Sequence, residues 1–285
     1  MRLARLGPPG RERPVVMVTD DSYVDVGDLV DDYDEAFFAA GTRRLRFDVA
    51  ARVAAGAVHP LGTTRIGPPI ARPHQILCVG LNYSDHAAEI GAPVPDQPLV
   101  FTKSPNSLVG PDDDVRAPRG FSRLDGEVEL AFVVGRRTSY LESVEEARRH
   151  VAGFTICNDM SERRFQDECG GQTLKGKSAE TFNPCGPWLV TPDEIPDVGA
   201  LSMRLDVDGE RRQRGSTATM VLDPYEILVH LSQFLVLEPG DLVNTGTPPG
   251  VAAGMADPAW IQPGQVMTLA IDRLGTQRQL VVPPR

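Results

Sequence analysis

Three acidic residues, Glu127, Glu129 and Asp159, have the types and spacing that could do chemistry. Side chains alternate between the faces of a strand, so Glu127 and Glu129 would point to the same side. The apolar run at residues 130–134 lacks polar alternation, which predicts a strand covered on both faces and places Glu129 toward the interior. A carboxylate there must be neutralised, hydrogen-bonded or bound to a cation. The alternative interpretation is an edge strand whose glutamates are solvated.

The position of Asp159 favours a bound cation over solvated glutamates. Asp159 follows a predicted buried strand at residues 151–157 and precedes a polar segment that holds Arg163 and Gln166. Three carboxylates without a nearby thiolate or second histidine favour Mg²⁺, with Mn²⁺ or Ca²⁺ as substitutes, and disfavour zinc and copper. Such an ion would polarise a carbonyl of a bound 2-oxo acid and stabilise a developing enolate. Lys177 could add positive charge, and Arg163 could orient a carboxylate.

His86 and Glu89 form a second pair with chemical potential. They lie three residues apart on a predicted short helix that Ser84 or Asp85 would cap, so they would share one face. A carboxylate beside an imidazole raises its basicity and orients it, as a general base requires. The alternative is an exposed pair without a role.

Composition limits the class of protein. The chain has 285 residues and a formal net charge of −10, which disfavours nucleic acid and anionic membranes as partners and means that an anionic substrate needs local cations. Its four cysteines form no CxxC pair, so reduced thiols are expected. No apolar signal region or 18-residue apolar run is seen, so we expect a cytoplasmic, unexported protein.

The elements that must position these residues are mostly strands. Residues 1–70 are predicted to form a small strand-rich N-terminal domain with a helix near residues 34–40, and the breaker-rich segment 67–73 leads into a main domain at 71–285. Regular βαβ alternation is absent, so the predicted fold class is mainly β (α+β), with mixed and mainly antiparallel pairing.

Within the main domain, Asp208 and Gly209 predict a hairpin turn, and Asp223 with Pro224 predicts the start of the clearest helix. Residues 112–114 are predicted to be a solvated acidic turn, and residues 175–182 a loop. Predicted strands also lie at residues 75–81, 99–103, 187–191, 201–207, 242–244, 265–271 and 278–282.

Five motifs occur in an order similar to that of the fumarylacetoacetate hydrolase family. They are residues 80–83 with His86 and Glu89, the acidic strand at 127–129, residues 158–161, residues 176–182, and the Thr-Gly-Thr-Pro turn at 245–248. The resemblance extends from about residue 75 to the C-terminus, and the leading segment resembles that of members with an extra N-terminal unit.

This resemblance implies a β-roll catalytic domain, usually in a homodimer, that binds Mg²⁺ or Mn²⁺ through Glu127, Glu129 and Asp159. It implies that Lys177 stabilises an enolate and that His86 and Glu89 activate water. The residues implied to contact substrate are Tyr83, Arg163, Gln166 and Thr247.

The predicted activity is metal-dependent hydrolysis of a C–C bond in a 2,4-diketo acid, releasing pyruvate. Residues 231–234, 245–251 and 275–279 resemble members acting on 2,4-diketo-3-deoxy sugar acids such as the fuconate and rhamnonate derivatives; an acylpyruvate-like substrate is the other expectation. The alternatives on the same fold are oxaloacetate decarboxylation and the isomerisation or decarboxylation steps of aromatic-acid catabolism. A non-catalytic, ion-stabilised binding protein is a further alternative, against which the presence of His86, Glu89 and Lys177 argues.

Overall fold

The computed structural model describes all 285 residues, from Met1 to Arg285. Its strands are β1 (Arg2–Leu6), β2 (Arg13–Thr19), β3 (Ser22–Asp25), β4 (His59–Pro60), β5 (Ile76–Gly80), β6 (Leu99–Lys103), β7 (Leu108–Val109), β8 (Val115–Arg116), β9 (Leu124–Asp125), β10 (Val128–Val134), β11 (Val151–Asn158), β12 (Ser161–Glu162), β13 (Asn183–Val190), β14 (Ser202–Val207), β15 (Glu210–Ser216), β16 (Leu242–Asn244), β17 (Val266–Ile271) and β18 (Gly275–Val282). Its helices are α1 (Glu35–Ala40), α2 (Arg43–Ala54), α3 (Ser84–Glu89), α4 (Val144–Arg148), α5 (Arg163–Asp167), α6 (Thr173–Lys177) and α7 (Pro224–Ser232). The fold is therefore mainly β with mixed sheets, as the sequence predicted.

One large sheet runs through both predicted domains. Its strands lie in the order β4-β3-β2-β1-β13-β11-β10-β16-β5-β6, with β7 beside β13. The N-terminal strands join through the antiparallel pair β1–β13, in which Arg2 lies opposite Val190. Residues 1–70 thus share a sheet with the rest of the chain, and their separation as a domain stays a prediction.

A smaller sheet, β15-β14-β17-β18-β8, packs over the large one. Alternate residues of β10 enter different cores: Leu130 and Phe132 pack in the core that includes residues of β14 and β17, whereas Ala131 and Val133 pack in the core that includes residues of α1 and α2. Both faces of β10 are covered, as its unbroken apolar run predicted. Because side chains alternate, Glu129 lies on the same face as Ala131 and Val133.

One local prediction is wrong, and one helix was missed. The predicted loop at 175–182 begins with the last turn of α6, and the longest helix of the chain, α2, was not predicted. In α6, a Cβ on Gly176 would lie 2.7 Å from the Glu162 carbonyl oxygen, so close packing against α5 rather than periodicity selects this helix. In α2 only Leu45 and Val49 are buried, and the exposed Phe47 obscures the helical period.

The acidic turn at residues 112–114 is also more structured than predicted. Asp113 pairs with Arg65 of the N-terminal segment, and Asp112 accepts the Arg278 N–H at 2.8 Å. Burial raises the pKa of Asp112 above its usual value. Asp112 and Asp114 are nevertheless exposed overall, so the prediction of a solvated turn is confirmed, while Asp112 and Asp113 also connect distant segments of the chain.

The hairpin and the capped helix form as predicted. Asp208 and Gly209 have φ values of 51° and 83° between β14 and β15, the positive values that a two-residue hairpin turn requires. Asp223 and Glu226 form a reciprocal capping box at the start of α7. All four cysteines are unpaired. None of the helices combines the length and the apolar character that crossing a bilayer requires.

Candidate active site

The three predicted metal ligands lie together. Glu127 immediately precedes β10, Glu129 is its second residue, and Asp159 follows the end of the neighbouring β11. The Asp159 N–H donates to the Glu127 carbonyl at 2.9 Å, which holds the two strand ends side by side. Carboxylate oxygens of the three residues lie within 4.8 Å of one another, and all three residues are buried. Antiparallel pairing of β10 with β11 thus brings together acids that are far apart in the sequence.

Two lysines contact the acidic cluster. Lys177, the last residue of α6, donates to Glu127 Oε2 at 2.6 Å and to Asp159 Oδ2 at 2.8 Å. Lys103, the last residue of β6, donates to Asp159 Oδ1 and, at 3.2 Å, to the Met160 carbonyl. The Lys103 side chain is fully buried. The sequence interpretation identified Lys177 but gave Lys103 no role.

Arg163 lies at the edge of the same cluster. Its guanidinium donates to Glu127 Oε1 and, at 2.8 Å, to Asp125 Oδ2. Asp125 was given no role from sequence, yet it is buried and also accepts the Ala252 N–H at 2.9 Å. The Arg163 guanidinium therefore contacts protein carboxylates, and its contact with a substrate stays a prediction.

The electrostatic environment differs between the two glutamates. Burial raises the pKa of Glu127, but Lys177 and Arg163 outweigh it and hold that pKa at about 2. Burial and the charges of Asp159 and Glu127 raise the pKa of Glu129 well above its usual value. Burial lowers the pKa of Lys177, and Asp159 and Glu127 reverse this and raise it above the usual value. Counted together with Asp125, the four carboxylates exceed the cations Lys103, Lys177 and Arg163 by one charge, and Glu129 is the carboxylate without an ion-pair partner.

The donor set fits a divalent ion. A Mg²⁺, Mn²⁺ or Ca²⁺ ion bound to oxygens at roughly 2.0–2.6 Å has ligand atoms up to about 4–5 Å apart, comparable with the spacing of these carboxylates. All three donors are hard oxygens, and Glu129 Oε2 is positioned by the Gly246 N–H at 2.9 Å. A bound dication would supply the positive charge that Glu129 lacks.

His86 and Glu89 form the predicted pair on α3. His86 Nδ1 and Glu89 Oε2 are 2.9 Å apart, and the second oxygen of Glu89 accepts the Gly250 N–H at 2.9 Å. With Nδ1 bound to the carboxylate, Nε2 is left as the proton acceptor. The helix begins at Ser84 without a side-chain cap, so the predicted capping by Ser84 or Asp85 is wrong.

One cavity of about 500 Å³ contains most of these groups. His86, Glu127, Glu129 and Lys177 line it, together with the predicted substrate residues Arg163, Gln166 and Thr247. Asp159 and Glu89 lie behind this wall, in contact with Lys177 and His86. The Thr247 hydroxyl donates to the Val128 carbonyl at 2.9 Å and accepts from Gln213 at 2.8 Å, so it is held in the wall by the strand that carries Glu129.

The position of Tyr83 differs from the predicted substrate contact. Its side chain is fully buried, and its hydroxyl lies 3.2 Å from the Met203 sulfur instead of facing the cavity. We therefore expect Tyr83→Phe to leave KM within about twofold of the wild-type value, because the lost hydrogen bond is remote from the substrate. Steady-state kinetics test this, and a tenfold rise in KM would restore the predicted contact.

Replacement of Lys103 by methionine tests the second lysine. It removes one of the two ammonium partners of the buried Asp159 while keeping the side chain's apolar length. We expect the metal-free protein to lose about 3 kcal/mol of unfolding free energy, since a buried carboxylate is left with fewer partners. Urea unfolding measures the loss, and Lys175→Met, at an exposed lysine of the same helix as Lys177, is the control that should change little. Equal stability of both variants would contradict a role for Lys103.

A cavity that brings together an acidic cluster, a buried lysine and a His–Glu pair on a mainly β fold has the composition of an enzyme active site. Residues 75–282 match the profile described as fumarylacetoacetate (FAA) hydrolase C-terminal. The chain belongs to this family, as its motifs indicated.

The similarity to relatives and to solved structures extends over nearly the full chain. A Burkholderia multivorans protein named as a candidate hydrolase is 44% identical, with 98% of each chain covered. Fumarylacetoacetate hydrolase from Exiguobacterium antarcticum superposes with a TM-score of 0.86 at 34% identity and complete coverage of both chains. Maleylpyruvate hydrolase from Sphingobium sp. SYK-6, in complex with manganese(II) and pyruvate, superposes with a TM-score of 0.83 at 28% identity, again over both complete chains.

An isomerase is also among the solved structures. The 2-hydroxyhepta-2,4-diene-1,7-dioate isomerase of Mycobacterium marinum superposes with a TM-score of 0.76 at 29% identity, covering 99% of this chain and 98% of that one. The family membership therefore supports an enzyme of the hydrolase and isomerase group.

Proposed function

We propose that this protein hydrolyses a C–C bond of a 2,4-diketo acid, releases pyruvate, and depends on Mg²⁺ or Mn²⁺. The observation that carries the proposal is the convergence of Glu127, Glu129 and Asp159 beside Lys177, in a cavity that also holds the His86–Glu89 pair. The manganese and pyruvate in the similar maleylpyruvate hydrolase support the choice of cofactor and product.

The acidic cluster is the binding end of the site. A divalent ion held by Glu127, Glu129 and Asp159 would supply Lewis acidity toward the oxygens of the keto acid. Asp125 keeps Arg163 at the edge of the cluster, and the Gly246 N–H keeps Glu129 in place. These contacts fix Arg163 and Glu129 in position before substrate binds, as electrostatic preorganisation requires.

His86 is the proposed base. Glu89 holds Nδ1 and orients the ring, so Nε2 can take a proton from the attacking water. Water adds to C4 of the diketo acid, the C3–C4 bond breaks, and its electron pair passes to C3 as the enolate of pyruvate. The proton then returns to C3, which gives pyruvate and the carboxylic acid of the acyl group.

Lys177 is the proposed enolate partner. Its ammonium is buried and has a raised pKa, so it stays positively charged throughout the working pH range. The same side chain contacts Glu127 and Asp159, which fixes its position next to the keto-acid end. A charge fixed in a water-poor site stabilises developing negative charge more strongly than a mobile one.

Isotope labelling tests this reaction. Acetylpyruvate incubated in H₂¹⁸O with Mg²⁺ should lose its enol absorbance and give acetate carrying ¹⁸O in its carboxylate, together with pyruvate. EDTA should abolish turnover, and excess Mn²⁺ should restore it. Absence of turnover on every 2,4-diketo acid tried, with metal present, would contradict the proposal.

Isomerisation is the second possibility, favoured by the similar M. marinum isomerase, and decarboxylation is the related alternative from the sequence. These reactions need no attacking water, so they leave the His86–Glu89 pair without its proposed task. Turnover of oxaloacetate to pyruvate and CO₂, with acetylpyruvate untouched, would favour the decarboxylase.

We further propose a homodimer, which the family resemblance implies. Size-exclusion chromatography with light scattering should give twice the chain mass of 30.9 kDa. A monomer at micromolar concentration would contradict this part of the proposal.

A further inference from the structure

The wall of the active-site cavity changes character along its length. The acids and cations of the wall come from β10 and the residue before it, α5 and α6, whereas the apolar part comes from β5 and the residue after it, β6 and the residue after α3. The apolar residues of this part of the wall are Val79, Leu81, Ile90, Leu99, Val100 and Phe101, with the side chains of Leu99 and Phe101 on one face of β6. One cavity therefore offers a charged end and a hydrocarbon end.

The apolar surface begins directly beside the reacting groups. The Phe101 ring centroid lies 5.5 Å from Lys177 Nζ. From there the surface reaches the rim, where Ile90, Leu99 and Val100 are exposed by 43%, 49% and 40% of their areas. A ligand that covers these exposed apolar side chains at the mouth of the cavity gains binding free energy, because it removes apolar surface from water.

The apolar part of the wall offers little for a second carboxylate. The fixed cations of the cavity, Arg163 and Lys177, both contact acids of the charged end, and Arg163 also contacts Asp125, outside the metal-ligand set. His86 is paired with Glu89, whose charge repels another anion. The net charge of −10 opposes a dianion further.

Hydroxyl groups would also lack partners there. The Thr247 hydroxyl already has a donor and an acceptor within the protein, and the other side-chain amide and hydroxyl groups of the cavity, those of Gln166 and Thr173, belong to α5 and α6 at the charged end. A polyhydroxylated chain against Leu99 and Phe101 would lose hydrogen bonds to water without replacing them.

We propose that the site selects monocarboxylic diketo acids whose acyl group is an unsubstituted hydrocarbon, over dicarboxylic or polyhydroxylated ones. This deepens the proposed function and rests on it for the identity of the reaction. It also narrows the two substrate expectations from sequence to the acylpyruvate-like one.

Binding of three six-carbon 2-oxo acids tests the selection independently of turnover. In the presence of Mn²⁺, calorimetry should show 2-oxohexanoate binding at least about tenfold more tightly than 2-oxohexanedioate or 2-oxo-3-deoxyhexonate. Within the monocarboxylic series, each added methylene should tighten binding about fourfold. Equal or tighter binding of the dicarboxylate or the polyol, or no binding of any of the three, overturns the inference.

A charge introduced into the apolar wall tests the same surface. Leu99→Lys should weaken 2-oxohexanoate binding and tighten 2-oxohexanedioate binding, because the new ammonium meets the distal carboxylate. Phe47→Lys, an equivalent change on the exposed face of α2, should alter neither. Failure of Leu99→Lys to change the ratio of the two affinities overturns the assignment of this wall.

The two proposals fail differently. If the 2-oxo acids rank as expected but no diketo acid is cleaved, the hydrolase proposal is wrong and the apolar subsite stands. If diketo acids are cleaved but the dicarboxylate or polyol is preferred, the hydrolase proposal stands and the subsite is wrong.

Discussion

Asp159→Asn should abolish metal-dependent activity and destabilise the metal-free protein. The change removes one of three charged donors, and the transition-state stabilisation that depends on the ion is worth several kcal/mol, so kcat/KM should fall by about 10³-fold or more. It also leaves the ammonium groups of Lys103 and Lys177 facing a neutral amide in a buried site. Breaking such a pair costs about 3–5 kcal/mol of unfolding free energy.

Two measurements check this result. Titration with Mn²⁺ followed by electron paramagnetic resonance gives the loss of affinity, and urea unfolding in EDTA gives the loss of stability. Asp193→Asn is the control, because Asp193 pairs with Arg46 on the exposed surface and its removal should cost less than about 1 kcal/mol. Wild-type Mn²⁺ affinity in Asp159→Asn would exclude Asp159 from the ligand set.

His86→Ala should separate water activation from metal binding. A positioned general base contributes about 10²–10⁴-fold, so kcat should fall by that factor while the Mn²⁺ dissociation constant stays within about twofold. The expectation follows from the position of His86, which contacts Glu89 and no member of the acidic cluster. Stopped-flow absorbance of the diketo acid and metal titration measure the two quantities.

Added imidazole and the Glu89→Gln variant complete the test of His86. Imidazole should partly restore turnover in His86→Ala by occupying the space left by the ring. Glu89→Gln should cost less than His86→Ala, since the amide oxygen still accepts from Nδ1 but stabilises the imidazolium less. Full hydrolysis by His86→Ala would exclude the pair from catalysis, whatever the behaviour of Glu89→Gln.

The acidic cluster could be predicted because its signals are local. Period-two spacing put Glu127 and Glu129 on one side, and the apolar run after them predicted a covered strand. Asp159 was found from its place after another apolar strand. The hairpin turn at Asp208 and Gly209 could be predicted equally well, as could the helix cap at Asp223, because each depends on the conformation of a few neighbouring residues.

The missed features depend on contacts between distant segments. Lys103 is the last residue of β6, and strand alternation places its side chain on the same face as Leu99 and Phe101. This position was a sequence signal for a buried lysine. Only the fold shows that its ammonium contacts Asp159. The helix α6 depends on the fit of Gly176 against α5. Tyr83 belongs to a motif that suggested substrate contact, yet its hydroxyl contacts the sulfur of Met203 on β14.

The pairing of β1 with β13 has a consequence for biosynthesis. The Met1 amino group contacts Thr191, 190 positions away, so the first strand leaves the ribosome long before its partner exists. At about 5–20 residues per second this interval is on the order of 10–40 s. During that time β1 is an unprotected edge, on which a second nascent chain could add its own strand. Translation speed through residues 1–190 should therefore affect the yield of native protein more than speed through the remainder.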